Sequence, residues 1–387
     1  MDSLMMATFL SPTKILLGLN SHRKLIEVLE RFGSKNIFFL SDEGVASTEL
    51  YSLVEKMLKE NNVQFEIFTD IESDPSANTV EKAFEIYKKN GSGVLLALGG
   101  GSTIDAAKAI RILATNGGRI HDYEGIDKFS NPPLPLIAIP TTAGTGSEVS
   151  GSCVITDTDR GLKMSIRSAS FNPADVAILD PLALKTLPET VAAHAAVDAF
   201  VHALESYVSL QSNPISDAVN LHAMELISNN VRQFVANRSN LDAGLKMLCA
   251  ASLAAMGFTN TGAGNVHCMA RFVGAFFHVP HGLSNAVCLP YAAEFNLNAN
   301  PRKFSRVALA MGENINGMTI MEAARKALDA IKQLCRDLRI PSRLRDIGAT
   351  EDKLPEMARL AFEANYNRWN PRYTTEKDFL YLFESAF

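Results

Sequence analysis

The run GVLLALGGGSTIDAAKA, residues 93–109, constrains the fold more than any other stretch. An uncharged apolar run leads into Gly99, Gly100 and Gly101, then Ser102 and a helical pattern. Such a run, bounded by glycine, reads as a strand buried on both faces, as in a parallel sheet covered by helices. Glycines let backbone N–H groups approach an anion closely, and a helix N-terminus adds about half a positive charge. The loop suits a phosphate, above all a pyrophosphate. It reads equally as a tight strand-to-helix turn without a ligand. It is neither GxGxxG nor a Walker loop, which would end in Gly-Lys-Ser/Thr.

The surrounding chain repeats this alternation. NIFFLS (36–41), VQFEIF (63–68) and LPLIAIP (134–140) read as strands; LYSLVEKMLKENN, NTVEKAFEIYKKN and TIDAAKAIRILATN read as helices. Strands alternating with helices of this length predict βαβ units and a mainly parallel sheet. CVITDTDRGLKMSIRS predicts a hairpin turning at Asp159 and Gly161. A second strand ends in IPTTAGTGSEVS (139–150), where Thr141, Thr142 and Thr145 offer hydroxyls with little bulk. Two such loops suit a nucleotide lying across the carboxyl edge of a sheet. Asp42, at the end of an early strand, can bond an adenosine ribose and repel a 2′-phosphate, favouring NAD over NADP, or simply cap a helix.

After DPLALKTLP (180–188) strand signals fade and long helical patterns take over, the first beginning after Pro188 with Glu189 and Thr190. The expected boundary lies there: an α/β domain over 1–188 and an all-helical domain over 189–387. No internal repeat or low-complexity segment is apparent. The helical half holds a second constellation. Asp198 and His202 are four residues apart on one helix face, and His267 and His281 lie in a glycine-rich stretch. A carboxylate and three imidazoles suit Fe(II), Zn or Co. A buried acid is costly without a partner, which a cation would supply. Each histidine also reads as an ordinary core residue; His194, His222 and above all His278 are rivals.

A net charge of −5 without a basic stripe gives no support to a nucleic-acid surface. Five cysteines without a CxxC pair argue against a disulfide framework and for a reducing compartment. The amino terminus carries Asp2 and no basic region, so it reads as a poor signal peptide. No window approaches the roughly 20 apolar residues of a membrane span. A cytoplasmic protein is expected.

The chain resembles the iron-containing (group III) alcohol dehydrogenases, with their dehydroquinate synthase-like fold, over almost its full length. The resemblance rests on GGGSTIDAAKAI (99–110), IPTTAGTGSEV (139–149), DPLALKTLP, the Asp198/His202 pair, HCMARFVGAFFHVPHGLSNAV (267–287) and the late Asn370–Arg372. It implies a Rossmann-like dinucleotide-binding domain, a helical metal-binding domain and an active site in the cleft between them. It places Asp198, His202, His267 and His281 on the metal ligands and Gly99, Gly100, Gly101 and Ser102 on the pyrophosphate loop. Asp42 falls on the acid that disfavours NADP. Thr141, Thr142 and Thr145 fall on the second cofactor loop. Asp105, Ser147, Lys163 and Leu182 are further expected cofactor contacts; Ser152 and Phe258 are expected at the substrate pocket, Phe258 reading equally as core packing. The implied activity is metal-dependent, NAD(H)-linked interconversion of small alcohols and aldehydes, with iron or zinc and a homodimer expected.

One position departs from the family's His-x-Met-Ala-His: the second histidine is Arg271. Arginine cannot exchange a proton near neutral pH, but its planar fork matches a carboxylate, sulfonate or phosphonate. A small substrate with an anionic group, such as sulfoacetaldehyde, follows, unless Arg271 serves a structural ion pair. His278 is then a candidate for moving the proton. The alternatives are a dehydrogenase for neutral short-chain alcohols or diols, a glycerol or glycerol-phosphate dehydrogenase, a lyase of the dehydroquinate synthase type, and a nucleotide or redox sensor.

Overall fold

A computed structural model describes residues 6–387; Asp2 lies outside the described residues. The described strands are β1 (Lys14–Leu17), β2 (Asn36–Leu40), β3 (Gln64–Phe68), β4 (Val94–Gly99), β5 (Gly125–Ile126), β6 (Leu136–Pro140), β7 (Ser152–Asp157), β8 (Leu162–Arg167) and β9 (Val176–Leu179). Six of them form an all-parallel sheet in the order β1-β9-β6-β4-β2-β3. Successive side chains on a strand point to opposite faces, and both faces are covered. Phe38, Leu95, Ala97 and Ala138 pack with Ile104 and Ile110 on one side, together with Val80 and Ala83. Ile37, Phe39, Leu96, Leu98 and Ile137 pack on the other with Leu25, Leu29, Val54 and Leu58. A sheet apolar on both faces explains the uninterrupted apolar runs.

From β2 the chain moves outward to β3, then crosses back over β2 to β4 on its other side. Such a switch point opens a crevice at the carboxyl ends of the strands. Asp42 follows β2, Gly99 closes β4 and Thr141 follows β6, so three neighbouring strands deliver them to one edge. The predicted hairpin is β7 and β8, antiparallel, with Gly161 in its turn at φ +63°; β5 joins β8 as a short third strand.

The chain divides into two compact units, one of Leu10–Thr142 and Gly146–Leu187, the other of Pro188–Phe387 with Ala143–Thr145 and residues 6–9. The second unit is helical. It contains Glu189–Val208, Pro214–Ala236, Leu241–Thr261, Asn265–Phe277, His281–Leu297, Pro301–Ala310, Ile320–Asp337, Leu354–Ala364 and Glu376–Ala386. Side-chain caps fix several starts: Asn213, Thr319 and Thr375 each accept a first-turn N–H.

Contrary to the sequence expectation, the Leu241–Thr261 helix is long and apolar enough to cross a membrane, by length and composition. More than half of its apolar stretch is buried inside the protein. A Cβ at Gly257 would overlap Asn220 of the Pro214–Ala236 helix, so the two helices meet closely there. This is the behaviour of a core helix, whose apolar content serves packing against other helices.

Candidate functional site

In the helical unit, the Glu189–Val208 helix carries Asp198 and His202 one turn apart, 2% and 6% exposed. His267 lies in the first turn of Asn265–Phe277, and His281 is the first residue of His281–Leu297. Glycine allows that last helix to come close: a Cβ at Gly282 would lie 2.9 Å from the His194 carbonyl oxygen. Ligand atoms of Asp198, His267 and His281 all lie within 4.8 Å of one another. His202 is not in that group; its ring stacks on His267, with centroids 4.7 Å apart. Phe258 covers both rings, 4.6 Å from His202 and 4.9 Å from His267.

These residues fit a divalent cation. His267 Nδ1 is 2.7 Å from Glu205 Oε2, while its Nε2, like His202 Nδ1, is buried with no hydrogen-bond partner. Unpaired buried nitrogens beside a buried carboxylate are costly without a cation. Burial favours the neutral form of Asp198, but His202, His281 and His267, with the Asn285 amide, hold its carboxyl below the usual value. Burial lowers His202, and it pushes His267 well below the usual imidazole range, with help from His202 and His281. Carboxylate and neutral imidazole are the protonation states that bind metal.

Two residues that sequence reasoning missed complete the surroundings. Asn285, one turn after His281, donates from Nδ2 to Asp198 Oδ1 at 2.6 Å and lies 3.1 Å from His281 Nε2. Glu205 is buried, and burial pushes its carboxyl up to about 7 against the pull of the Gly264 and Val266 N–H groups. The signal was present: Asp198, His202 and Glu205 stand at i, i+4 and i+7 of one apolar helix face, and the cost of a buried acid applies to Glu205 as it does to Asp198.

In the α/β unit, β4 runs into Gly99 and the Gly101–Asn116 helix. A Cβ at Gly99 would overlap the Thr103 side chain, and one at Gly100 would lie 3.3 Å from Thr142 Cγ2. The two loops join where Thr141 N donates to Gly99 O at 3.0 Å. Asp42 caps the Glu43–Ala46 helix through Val45 N at 2.9 Å, and its other oxygen accepts from Thr103 Oγ1 at 3.4 Å. It therefore both caps a helix and borders the glycine loop. Ser102 Oγ accepts from Asp74 N at 3.1 Å, and Lys163 pairs with Asp74 at 2.7 Å. Leu182 lies in the short Pro181–Leu184 turn, its N–H bonded to Asp180.

Asp105 and Ser147 face each other. Asp105 accepts from Ser147 Oγ at 2.5 Å and Val154 N at 2.9 Å. Lys108, fully buried, donates to Ser147 Oγ and to the Ser150 and Ser152 carbonyls, and lies 3.5 Å from Asp105. These contacts tie the Gly101–Asn116 helix to the following loop through a lysine that no local pattern marks as buried. Ser152 opens β7 and Thr145 lies in the Ala143–Thr145 segment.

Arg271 follows His267 by one helical turn, and its guanidinium lies 4.2 Å above the Tyr366 ring. His278 ends that helix in the left-handed region, φ +54°, and is exposed. His194 is half-buried on the Asp198 helix; burial lowers its pKa. His222 is exposed beside Glu225. The late Asn370 belongs to a buried amide network: it exchanges hydrogen bonds with Asn296 at 2.7 and 2.8 Å and accepts from Asn265 N at 3.2 Å.

Comparison with known proteins agrees with this architecture. Residues 12–181 match the family model "iron-containing alcohol dehydrogenase", and residues 192–387 the model "Fe-containing alcohol dehydrogenase family, C-terminal". The chain is 34% identical to the NAD-dependent methanol dehydrogenase of Bacillus methanolicus, covering 98% of this chain and 100% of that one. It is 36% identical to the sulfoacetaldehyde reductase of Bilophila wadsworthia, covering 97% of each. The crystal structure of a 1,3-propanediol oxidoreductase superposes with a TM-score of 0.96 at 37% identity, covering 99% of this chain and 100% of that one. The chain belongs to the iron-containing alcohol dehydrogenase family, and is an oxidoreductase acting on CH–OH groups with NAD.

Proposed function

We propose that this enzyme interconverts a small alcohol and its aldehyde using a metal held by Asp198, His202, His267 and His281, and that Arg271 directs it to substrates bearing an anionic group. The convergence of Asp198, His267 and His281 within 4.8 Å, with His267 Nε2 unpaired, carries the metal assignment. A divalent ion held there would supply Lewis-acid polarisation of the substrate oxygen, and a bound nicotinamide would supply the hydride chemistry. Gly99, Gly100, Gly101 and the N-terminus of the Gly101–Asn116 helix would hold the pyrophosphate, Asp42 would serve the ribose, and Thr141, Thr142 and Thr145 would lie on the adjoining cofactor loop. Phe258 shields the histidines from water on one side.

Arg271 stands one turn from His267, about 5–6 Å between Cβ atoms, a separation that a two-carbon substrate tail spans. Stacking on Tyr366 orients the planar guanidinium fork. The similarity to a sulfoacetaldehyde reductase fits an anionic aldehyde. Because arginine stays protonated, proton exchange falls to water, a cofactor ribose hydroxyl or the exposed His278. Unchanged kcat and pH profile in His278→Gln would remove His278 from that set.

The test is reduction of sulfoacetaldehyde against a neutral aldehyde of similar size, followed by NADH absorbance on metal-reconstituted enzyme. A charge-assisted hydrogen bond contributes about 1.5–3 kcal/mol, or roughly 10- to 150-fold in kcat/KM. Arg271→Ala should erase that preference. Equal kcat/KM for the two aldehydes would sink the anionic assignment and leave a dehydrogenase for neutral alcohols or diols. A cytoplasmic homodimer is part of the same proposal: all five cysteines are free, which suits a reducing compartment. Cell fractionation and light scattering check location and assembly.

A further inference from the structure

Glu205 lies one turn beyond His202 on the same helix and is 3% exposed. Its two oxygens have three partners. Oε2 accepts from Gly264 N at 3.0 Å and pairs with His267 Nδ1 at 2.7 Å; Oε1 accepts from Val266 N at 2.5 Å. The approach depends on a glycine, because a Cβ at Gly264 would lie 2.7 Å from Oε1. The carboxylate is thus clamped by the loop that starts the His267 helix.

A carboxylate beside Nδ1 keeps the imidazole proton on that nitrogen, which leaves the lone pair on Nε2. His267 Nε2 is the buried atom without a protein partner. We infer that Glu205 is a positioning residue for the metal centre: it sets the tautomer and orientation of His267 and thereby raises the affinity of the site for a divalent cation. This rests on the metal assignment proposed above.

Glutamine cannot reproduce the clamp. With its oxygen toward Val266, its NH₂ faces the Gly264 N–H and donates to His267 Nδ1, moving the ring proton to Nε2. With its oxygen toward His267, its NH₂ faces the Val266 N–H. Aspartate keeps the charge but withdraws the oxygens by about one C–C bond, ~1.5 Å.

The test uses the full chain, stripped by chelator and titrated with Zn²⁺ against a chromophoric competitor, alongside NADH binding. Wild type is expected to bind one ion per chain. Glu205→Gln should bind it about 10- to 100-fold more weakly, and Glu205→Asp by an intermediate factor, both with unchanged NADH affinity. If wild type binds no ion, the metal assignment fails and this inference with it. If wild type binds and Glu205→Gln is within threefold of it, the inference alone is overturned. Should Glu205→Gln fail to fold, Glu205→Asp decides: weakening beyond threefold supports the role, and less overturns it.

Discussion

Adding one carbon at Gly99 tests the nucleotide loop more sharply than removing any side chain. The new Cβ of Gly99→Ala would collide with the Thr103 side chain, itself buried in the first turn of the following helix. β4 is pinned between β2 and β6, with Gly99 in register with Pro140, so the strand end cannot yield. The first helical turn must move instead, and its N–H groups are those proposed to meet the pyrophosphate. Overpacking of this kind costs about 1–3 kcal/mol, and about 1.4 kcal/mol is tenfold in a dissociation constant. The expected result is roughly 5- to 150-fold weaker NADH binding by fluorescence titration, with metal content unchanged. Gly100→Ala is the graded control. Its Cβ would lie 3.3 Å from Thr142 Cγ2, which a few tenths of an ångström relieve, so its loss should stay below threefold. Wild-type NADH affinity in a folded Gly99→Ala protein, or a larger loss at Gly100 than at Gly99, would refute the reasoning.

Three further outcomes follow from particular contacts. Gly282→Ala leaves all four proposed ligands in place but presses a Cβ against the His194 carbonyl at 2.9 Å; metal affinity by chelator competition should fall about tenfold as the His281 helix shifts. An unchanged affinity would show that the helix end yields without moving His281. Asn370→Ala strands the Asn296 amide and the Asn265 N–H, costing about 2–4 kcal/mol in urea unfolding; a loss under about 1 kcal/mol would mean water replaces the network. The buried His22–Asp180 pair, at 2.6 Å, should give an acid-sensitive contribution. Burial raises the Asp180 carboxyl, but bonds from His22 and the Leu182 N–H outweigh it and leave the pKa lowered. A lowered folded-state pKa stabilises above the unfolded value, and that contribution is lost as pH falls through the folded value, here below about 4. The stability difference between wild type and His22→Ala should therefore shrink in melts below that pH; a difference constant down to full acid unfolding would count against it.

The sequence was most informative where one residue type answers one physical demand. Apolar runs without alternation marked β2, β4 and β6 because both sheet faces are covered, and the glycines after β4 marked a close approach. β1 and β9 escaped notice. β1 is a four-residue edge strand, partly exposed, whose register with β9 (Lys14 opposite Val176) is a long-range pairing that local pattern does not encode. Asp198, His267 and His281 were legible as an unusual set of ligand types, but nothing local shows His202 stacked on His267 outside the tightest group. Lys108 and Arg111 are both buried, and Lys108 bonds residues 39 to 44 positions away, partners that local pattern does not encode. Asn285 and Glu205 hold polar roles that depend on partners from other helices, Glu205 on a loop 59 to 62 residues further along.

The most direct measurement is a metal titration of chelator-stripped protein, with NADH-dependent aldehyde reduction followed at each addition. Activity should rise in proportion to added Zn²⁺ or Fe²⁺ and break at one ion per chain, and Asp198→Ala, still able to bind NADH, should show neither the rise nor the break. Full activity in the stripped protein, or an unaltered titration in Asp198→Ala, would contradict the metal assignment.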